Sequence, residues 1–241
     1  MKLRVDLVPY ARAVLMLFRF PAVILAPLLM QVAQILIFRL LSFSSVGGPV
    51  AGATTGIMGL IVQLLNCFAL SVSLIVADHA WRSGRAPFDQ SWDEARRKAP
   101  DILLASLGFG FILWVASQAG GLLGSFGALA LPAVALFFFI YTLPAAAIGG
   151  IPGGAALQIS LERARRAVPA TIFVTVVSVL AYFVLPILAS DLILPLLLVT
   201  SFEASSAVSS LVTGFVLAIA AGYVALVLAK VYNDVSYGRS Y

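Results

Sequence analysis

Two short stretches, SWDEARRKAP at Ser91–Pro100 and SLERARRAVP at Ser160–Pro169, decide the fold prediction for this chain. Both contain a serine, an acid, an alanine, an Arg-Arg pair and a proline in the same register, and each lies between two apolar segments. A motif that recurs along a chain indicates a repeated structural unit. We therefore expect each motif to form a short charged helix that leads into a membrane hairpin.

The predicted helices cover residues 89–99 and 158–168 and lie in the plane of the membrane surface. Each ends where Pro100 or Pro169 opens an apolar segment, a position that suits proline in a first helical turn. Ser91 is predicted to be the N-cap of the first helix, and Glu94, three residues later, would complete a capping box.

The composition indicates a membrane protein. The chain has 241 residues, of which 62% are hydrophobic and 10% are charged, and its mean hydropathy is +1.08. A soluble domain usually carries about 25% charged residues, so most of this surface must face lipid. The single cysteine, Cys67, and the single histidine, His79, exclude a disulfide framework and a multi-histidine metal site. No cofactor is expected.

The apolar segments predict six membrane helices, since about 20 residues span a hydrocarbon core of roughly 30 Å. We therefore expect one all-α transmembrane domain over residues 1–241, built as three hairpins with short amphipathic interfacial helices before spans 1, 3 and 5. Residues 10–20 would form the first interfacial helix, and residues 190–206 an interfacial or shallow re-entrant segment. The predicted spans are approximately 22–41, 51–77, 101–119, 128–148, 170–189 and 207–229.

The basic residues predict the orientation. Arg39 is the one member of the 15 lysines and arginines outside the N-terminal segment, the two charged loops and the C-terminal tail. Lysine and arginine concentrate in cytoplasmic loops, so both termini are expected in the cytoplasm. This distribution accounts for the net charge of +5 without a nucleic-acid partner.

The charged helices supply the candidate contacts with membrane lipids. Trp92 and Leu161, at the same motif position, are expected to anchor in the interface. The alternative is that the charged side chains of the first motif form a phosphate site. The predicted headgroup contacts are Arg96, Arg97, Lys98, Arg165 and Arg166.

Arg39 is predicted to form a structural ion pair. It ends the first span near the face that carries Asp191 and Glu203, and pairing with either acid would lower the cost of a charge close to hydrocarbon. The alternative, which we rate nearly equal, is that Arg39 extends alone to the headgroups.

Candidate catalytic residues are few. Asp78 and His79 are neighbours that point to different sides of a helix, so capping or interfacial solvation is the simplest interpretation of both. The intramembrane polar residues expected to hydrogen-bond between the first two spans are Gln31, Gln34, Gln63 and Asn66. No acid or base falls in the middle of a span, which disfavours ion-coupled transport.

The motifs resemble a known family. SWDEARRKAPDILLASL (91–107), SLERARRAVPATIFVTV (160–176) and VYNDVSYGR (231–239) are similar to uncharacterised bacterial six-helix membrane proteins related to the membrane domain fused to some glycerophosphodiester phosphodiesterases. The closing element would be Tyr232, Asp234 and Arg239, with a looser spacing to the arginine. The resemblance implies a fold and a place in the bacterial cytoplasmic (inner) membrane. It implies no reaction, because no phosphodiesterase domain is present.

Two functions are compatible with these observations. The first is a non-enzymatic integral membrane protein, an accessory, scaffold or lipid-interacting subunit whose partners are membrane lipids and other integral membrane subunits. The second is a carrier for an uncharged or amphipathic solute. A polar cavity would favour the carrier, whereas a tightly packed apolar centre would favour the first function.

Overall fold

The fold is a bundle of α-helices. The computed structural model describes residues 7–42, 49–197 and 202–236, with the side chains of these residues except at 38–42, 49–57, 183, 189–197 and 202–209. All regular elements of the described chain are helical, as predicted. In chain order the helices are α1 (Val8–Arg19), α2 (Ala22–Ser42), α3 (Pro49–Ser83), α4 (Phe88–Arg97), α5 (Ala99–Leu122), α6 (Gly124–Phe139), α7 (Thr142–Ala147), α8 (Gly153–Arg166), α9 (Val168–Leu197) and α10 (Phe202–Ser236).

Several helices are long and apolar enough to cross a membrane, which confirms the prediction of a multi-pass membrane protein. Within the described residues there are five such segments. A sixth would form if α1 and α2, which meet at a bend of 73°, make one broken span. The five segments are Met58–Ser83, Ala99–Leu122, Gly124–Ala147, Val168–Leu188 and Ser210–Ser236.

Helix α10 lies at the centre of the bundle. It packs against α1, α2, α3 and α9 and is the most enclosed of the five long segments, whereas α5 is the least enclosed. Small residues occupy many of its buried positions, including Ala218, Ala221, Ala225 and Ala229. Because lipid tails are as apolar as leucine, small side chains that let helix backbones approach closely stabilise such packing.

The hairpin of α5 and α6 depends on glycine. Gly124 follows Leu123 with φ +82°, a left-handed conformation that favours glycine. Gly120 and Gly127 face each other across the turn, and a Cβ atom on Gly127 would lie 2.6 Å from the Gly120 carbonyl oxygen. A larger residue at either position would therefore force the two helices apart.

Both charged motifs are helical, as predicted. Helix α4 ends at Arg97 and α8 at Arg166, and these residues occupy the same motif position. The next helices begin at the equivalent residues Ala99 and Val168, which places Pro100 and Pro169 in a first turn. Both surface helices begin earlier than expected, most clearly α8.

The prediction that Ser91 caps α4 is wrong. Helix α4 begins at Phe88, and its N-cap residue is Pro87, which contributes no side-chain hydrogen bond. Ser91 lies inside the helix instead, and its hydroxyl donates to the Pro87 carbonyl oxygen at 2.8 Å. Helix α4 thus starts three residues before Ser91, and proline suits this start because it has no backbone N–H to leave unsatisfied.

Within the segment predicted to be interfacial or re-entrant, residues 190–197 belong to α9 and residues 202–206 belong to α10. Helix α9 continues through Pro186 and Pro195 to Leu197, and α10 begins at Phe202. Proline removes one backbone hydrogen bond without necessarily ending a membrane helix, because neighbouring groups can satisfy the freed carbonyl. Proline was therefore a poor indicator of a break in this part of the chain.

Candidate functional site

Helices α4 and α8 present similar faces. Ser91 and Ala95 of α4 are buried, as are the equivalent Ser160 and Ala164 of α8. The predicted headgroup contacts divide between an exposed group and one half-buried residue. The exposed group, on the outer side of the two helices, consists of Arg96, Arg97, Arg165 and Arg166.

Lys98 has different surroundings from these arginines. Its ammonium donates to Glu94 Oε1 at 2.7 Å and to the Ala147 carbonyl oxygen at 2.7 Å. Ala147 ends α7, so Lys98 connects the end of α4 to the end of a neighbouring helix. Lys98 thus has two protein partners, and its predicted contact with a lipid headgroup stays a prediction.

Trp92 packs against aromatic side chains of the protein. Its ring centroid lies 5.7 Å from that of Phe68 in an edge-to-face arrangement and 6.1 Å from that of Phe88 in a stacked one. Leu161, at the equivalent position of α8, is likewise half-buried. The interfacial anchoring expected of Trp92 and Leu161 stays a prediction.

The predicted ion pair of Arg39 lies outside the described side chains. The backbone of Arg39 belongs to α2, that of Asp191 to α9 and that of Glu203 to α10. A contact from Arg39 to either carboxylate therefore stays a prediction.

The buried serines tie α4 and α8 to different neighbours. Ser91 Oγ lies 3.1 Å from His79 Nδ1 on α3. Ser160 Oγ donates to the Phe138 carbonyl oxygen at 2.9 Å and accepts from the Tyr141 N–H at 3.0 Å. Ser160 thereby fixes the break between α6 and α7, where the regular helical bonds are interrupted.

Ser91, His79 and Glu94 have the composition of a nucleophile, a base and an acid. His79 Nε2 lies 3.9 Å from Glu94 Oε2. Activation would require the serine hydroxyl to donate its proton to the histidine. Here the hydroxyl donates to the Pro87 carbonyl oxygen, a direction that does not pass the serine proton to His79. Ser91 is also fully buried, and the arrangement therefore presents no nucleophile to a substrate.

Asp78 links α3 to α10, a role that the sequence did not reveal. Its buried carboxylate accepts from Asn233 Nδ2 at 2.6 Å and from Arg82 Nε at 2.8 Å. Close by, Trp81 Nε1 donates to the Leu226 carbonyl oxygen at 2.9 Å. A run of polar contacts thus joins the ends of α3 and α10.

The C-terminal residues singled out by the resemblance lie beside this region. Tyr232 is buried, and the Arg163 guanidinium lies 4.0 Å from the centroid of its ring, within the range of a cation–π contact. Asp234 is also buried and accepts from Lys230 Nζ at 2.8 Å. Arg239 lies outside the described residues.

Among the cavities that the described residues line, two neighbouring ones have polar side chains in their walls. The smaller, of about 300 Å³, is lined partly by Gln31, Gln34 and Asn66. Gln34 Nε2 donates to Asn66 Oδ1 at 2.7 Å, which confirms the expected hydrogen bond between the first two spans. Leu70 and Tyr182 line this cavity and the larger one, so the two are neighbours.

The larger cavity, of about 600 Å³, lies between α3, α5, α6, α7, α9 and α10. Its wall is mostly apolar, with residues such as Phe109, Leu113 and Leu136. A few polar side chains interrupt this wall, and its lining contains no Asp, Glu, Lys, Arg or His. These polar residues are Gln63, Cys67, Ser178 and Tyr182.

Among residues 7–42, 49–197 and 202–236, no three His, Cys, Asp or Glu side chains converge in a way that could hold a metal ion. Comparisons with family models, with curated proteins and with solved structures find no match to this chain. The resemblance to the membrane domain of glycerophosphodiester phosphodiesterases stays a prediction.

Proposed function

We propose that this chain is a non-enzymatic integral membrane protein that interacts with lipid, as an accessory or scaffold subunit of a membrane complex. One observation carries the proposal. Helices α4 and α8 bury a serine and an alanine at equivalent positions and expose an arginine pair on the opposite side. Such a side chain arrangement suits a helix that packs on a bundle and contacts anionic headgroups.

The arginine pairs allow an estimate of the binding free energy for anionic headgroups. A basic side chain near an anionic membrane surface contributes about 1 kcal/mol. The two arginines of one helix would then contribute about 2 kcal/mol, or roughly a thirtyfold change in affinity for an anionic headgroup.

The test uses the full chain in nanodiscs of phosphatidylcholine with a minor fraction of phosphatidylglycerol. A variant with Arg96, Arg97, Arg165 and Arg166 replaced by glutamine should retain much less phosphatidylglycerol in native mass spectrometry. The matched variant with four lysines keeps the charge and should retain most of it. Equal retention by the glutamine variant and the unaltered chain would refute the proposal.

The proposed topology is six spans in three hairpins, with both termini in the cytoplasm of a bacterial cell. Its support is the one-sided distribution of lysine and arginine. In a Cys67→Ser background, a cysteine at Ser45 should react with an impermeant maleimide from outside, and one at Ser83 from inside only. The opposite labelling pattern would invert the topology.

We also propose that the two charged motifs belong to an internal repeat. The equivalent ends of α4 and α8, and the equivalent starts of α5 and α9, support this relationship. The resemblance of the motifs to the membrane domain of glycerophosphodiester phosphodiesterases is part of the same proposal. Other integral membrane subunits are the expected protein partners.

A carrier for an uncharged or amphipathic solute is the second candidate function. The smaller cavity favours it through its polar side chains Gln31, Gln34 and Asn66, and the larger cavity beside it, mostly apolar with a few polar groups, is typical of a small-molecule site. Uptake of a labelled amphiphile into vesicles that contain the purified chain would test carriage. Equal uptake by empty vesicles would exclude it.

A further inference from the structure

In the described chain, three buried serine or threonine hydroxyls have no hydrogen-bond partner, those of Thr142, Thr175 and Ser178, and of these three residues only Ser178 lines the larger cavity. Ser178 is 6% exposed, lines the larger cavity, and its Oγ has no hydrogen-bond partner. Several other helical hydroxyls donate to the carbonyl four residues earlier, as Ser71 does to Cys67 and Ser106 to Ile102. A buried polar group without a partner is unfavourable, so a ligand that supplies one would be stabilised there.

The smaller cavity does not have an equivalent unpaired hydroxyl from a serine among the described residues of its wall. Two of its polar side chains, Gln34 and Asn66, already bond to each other. A molecule entering it would have to displace or share that bond. The larger cavity is therefore the better candidate for a ligand.

The lining of the larger cavity selects the chemistry of its occupant. Its volume of about 600 Å³ lies within the range of about 300–1,000 Å³ found for small-molecule sites. The described lining residues include no Asp, Glu, Lys, Arg or His that could balance a charge, and an unpaired charge in such surroundings is very costly. The apolar wall, by contrast, favours hydrocarbon.

We infer that the larger cavity binds an uncharged amphipathic molecule, whose hydroxyl or carbonyl group hydrogen-bonds to Ser178 while its hydrocarbon part packs against Phe109, Leu113 and Leu136. Gln63, on the same wall, provides a second polar group beside the apolar surface. This inference rests on the second candidate function, the carrier, and names the class of molecule that it would take.

The native cysteine provides a reporter for occupancy. Cys67 lines the same cavity and is the one cysteine of the chain. A bound molecule should therefore slow modification of Cys67 by N-ethylmaleimide, measured by intact-protein mass on the full chain in phosphatidylcholine nanodiscs. Three probes with the same chain length isolate the head group: hexadecanol, hexadecane and hexadecyl sulfate.

Hexadecanol should slow the modification at lower concentrations than hexadecane, by about fivefold, a ratio in the range of one hydrogen bond. Hexadecyl sulfate should give no protection. Ser178→Ala should abolish the preference for hexadecanol over hexadecane. The matched control is Thr175→Val, which removes another buried hydroxyl without a partner on α9, at a residue outside the cavity lining; it should retain the preference.

Equal protection by all three probes, or a preference that survives Ser178→Ala, would overturn the inference. Retention of each probe in native mass spectrometry gives the same comparison if Cys67 reacts slowly without ligand, and absence of hexadecanol retention would also overturn it. Binding without uptake into vesicles would remove the carrier function and leave the site. Neither result affects the headgroup proposal, which is measured at the arginines of α4 and α8.

Discussion

Replacing Asp78 by alanine removes the acceptor that joins the end of α3 to the end of α10. In the native chain, Asn233 Nδ2 donates to Asp78 Oδ1 at 2.6 Å and Arg82 Nε donates to the same oxygen at 2.8 Å. The Asp78 side chain is 12% exposed, whereas that of Arg82 is 51% exposed. When Asp78 is removed, water can therefore compensate for the lost bond to Asn233 less well than for the lost bond to Arg82.

The magnitude follows from these exposures. A hydrogen bond to a charged group contributes about 1.5–3 kcal/mol to stability. The half-exposed pair with Arg82, four residues apart on one helix, adds only about 0.3–0.5 kcal/mol because solvent screens it. We expect Asp78→Ala to lower the free energy of unfolding by about 2–3 kcal/mol, and Tm by about 4–12 °C for a protein of this size.

The assay is reversible unfolding of the purified chain in mixed micelles, with a double-mutant cycle of Asp78→Ala and Asn233→Ala. The coupling energy should be at least about 1.5 kcal/mol, since both variants remove the same charge-assisted bond. Glu162→Ala is the matched control, because it removes an exposed ion pair with Arg166 at 3.6 Å and should cost less than about 0.5 kcal/mol. A cost for Asp78→Ala equal to that of the control, or a coupling below about 0.5 kcal/mol, would refute the reasoning.

Two further predictions concern backbone contacts. Gly120→Val should lower the free energy of unfolding by about 1–3 kcal/mol through overpacking of the α5–α6 hairpin, whereas Gly121→Val, whose Cβ meets open space, should cost less than about 1 kcal/mol; equal losses in the same unfolding assay would contradict the close approach. Ser160→Ala leaves the Tyr141 N–H without its acceptor and should cost about 1–3 kcal/mol. The control Ser83→Ala removes an exposed hydroxyl and should change the free energy of unfolding by less than about 0.5 kcal/mol. A larger loss for Ser83→Ala than for Ser160→Ala would exclude this role of Ser160.

Local features of the fold were predictable because they follow from composition and short-range pattern. The helices at the two charged motifs, the proline in the first turn of α5 and α9, and the long apolar helices all follow from residues within about one or two turns of each other. The hydrogen bond from Gln34 to Asn66 was also predictable, because two amides on neighbouring spans have few other partners in hydrocarbon.

The tertiary ties could not be predicted from one sequence. Asn233 contacts Asp78, and Lys98 contacts the Ala147 carbonyl oxygen. These residues are far apart in the sequence, and a helical pattern predicts only which residues a few positions apart share a face. Lys98 follows an arginine pair, so by pattern it belonged to the same basic group. Its position at the C-terminal end of α4 turns it towards α7, whereas Arg96 and Arg97 remain exposed.

The two motifs match on their outer sides and differ in charge on their inner sides. Both helices expose an arginine pair, but the half-buried position that holds Glu94 in α4 holds Arg163 in α8. Glu94 accepts from Lys98 at 2.7 Å, and the residue equivalent to Lys98 in the second motif is Ala167.

Arg163 instead lies over the ring of Tyr232 at 4.0 Å. The inner position is therefore acidic in α4, where its partner is Lys98, and basic in α8, where its partner is Tyr232. Such a difference is expected because each helix packs on a different part of the bundle. The outer arginines do not change with these neighbours. A surrounding common to both helices accounts for them best, and a layer of anionic headgroups is a surrounding of that kind.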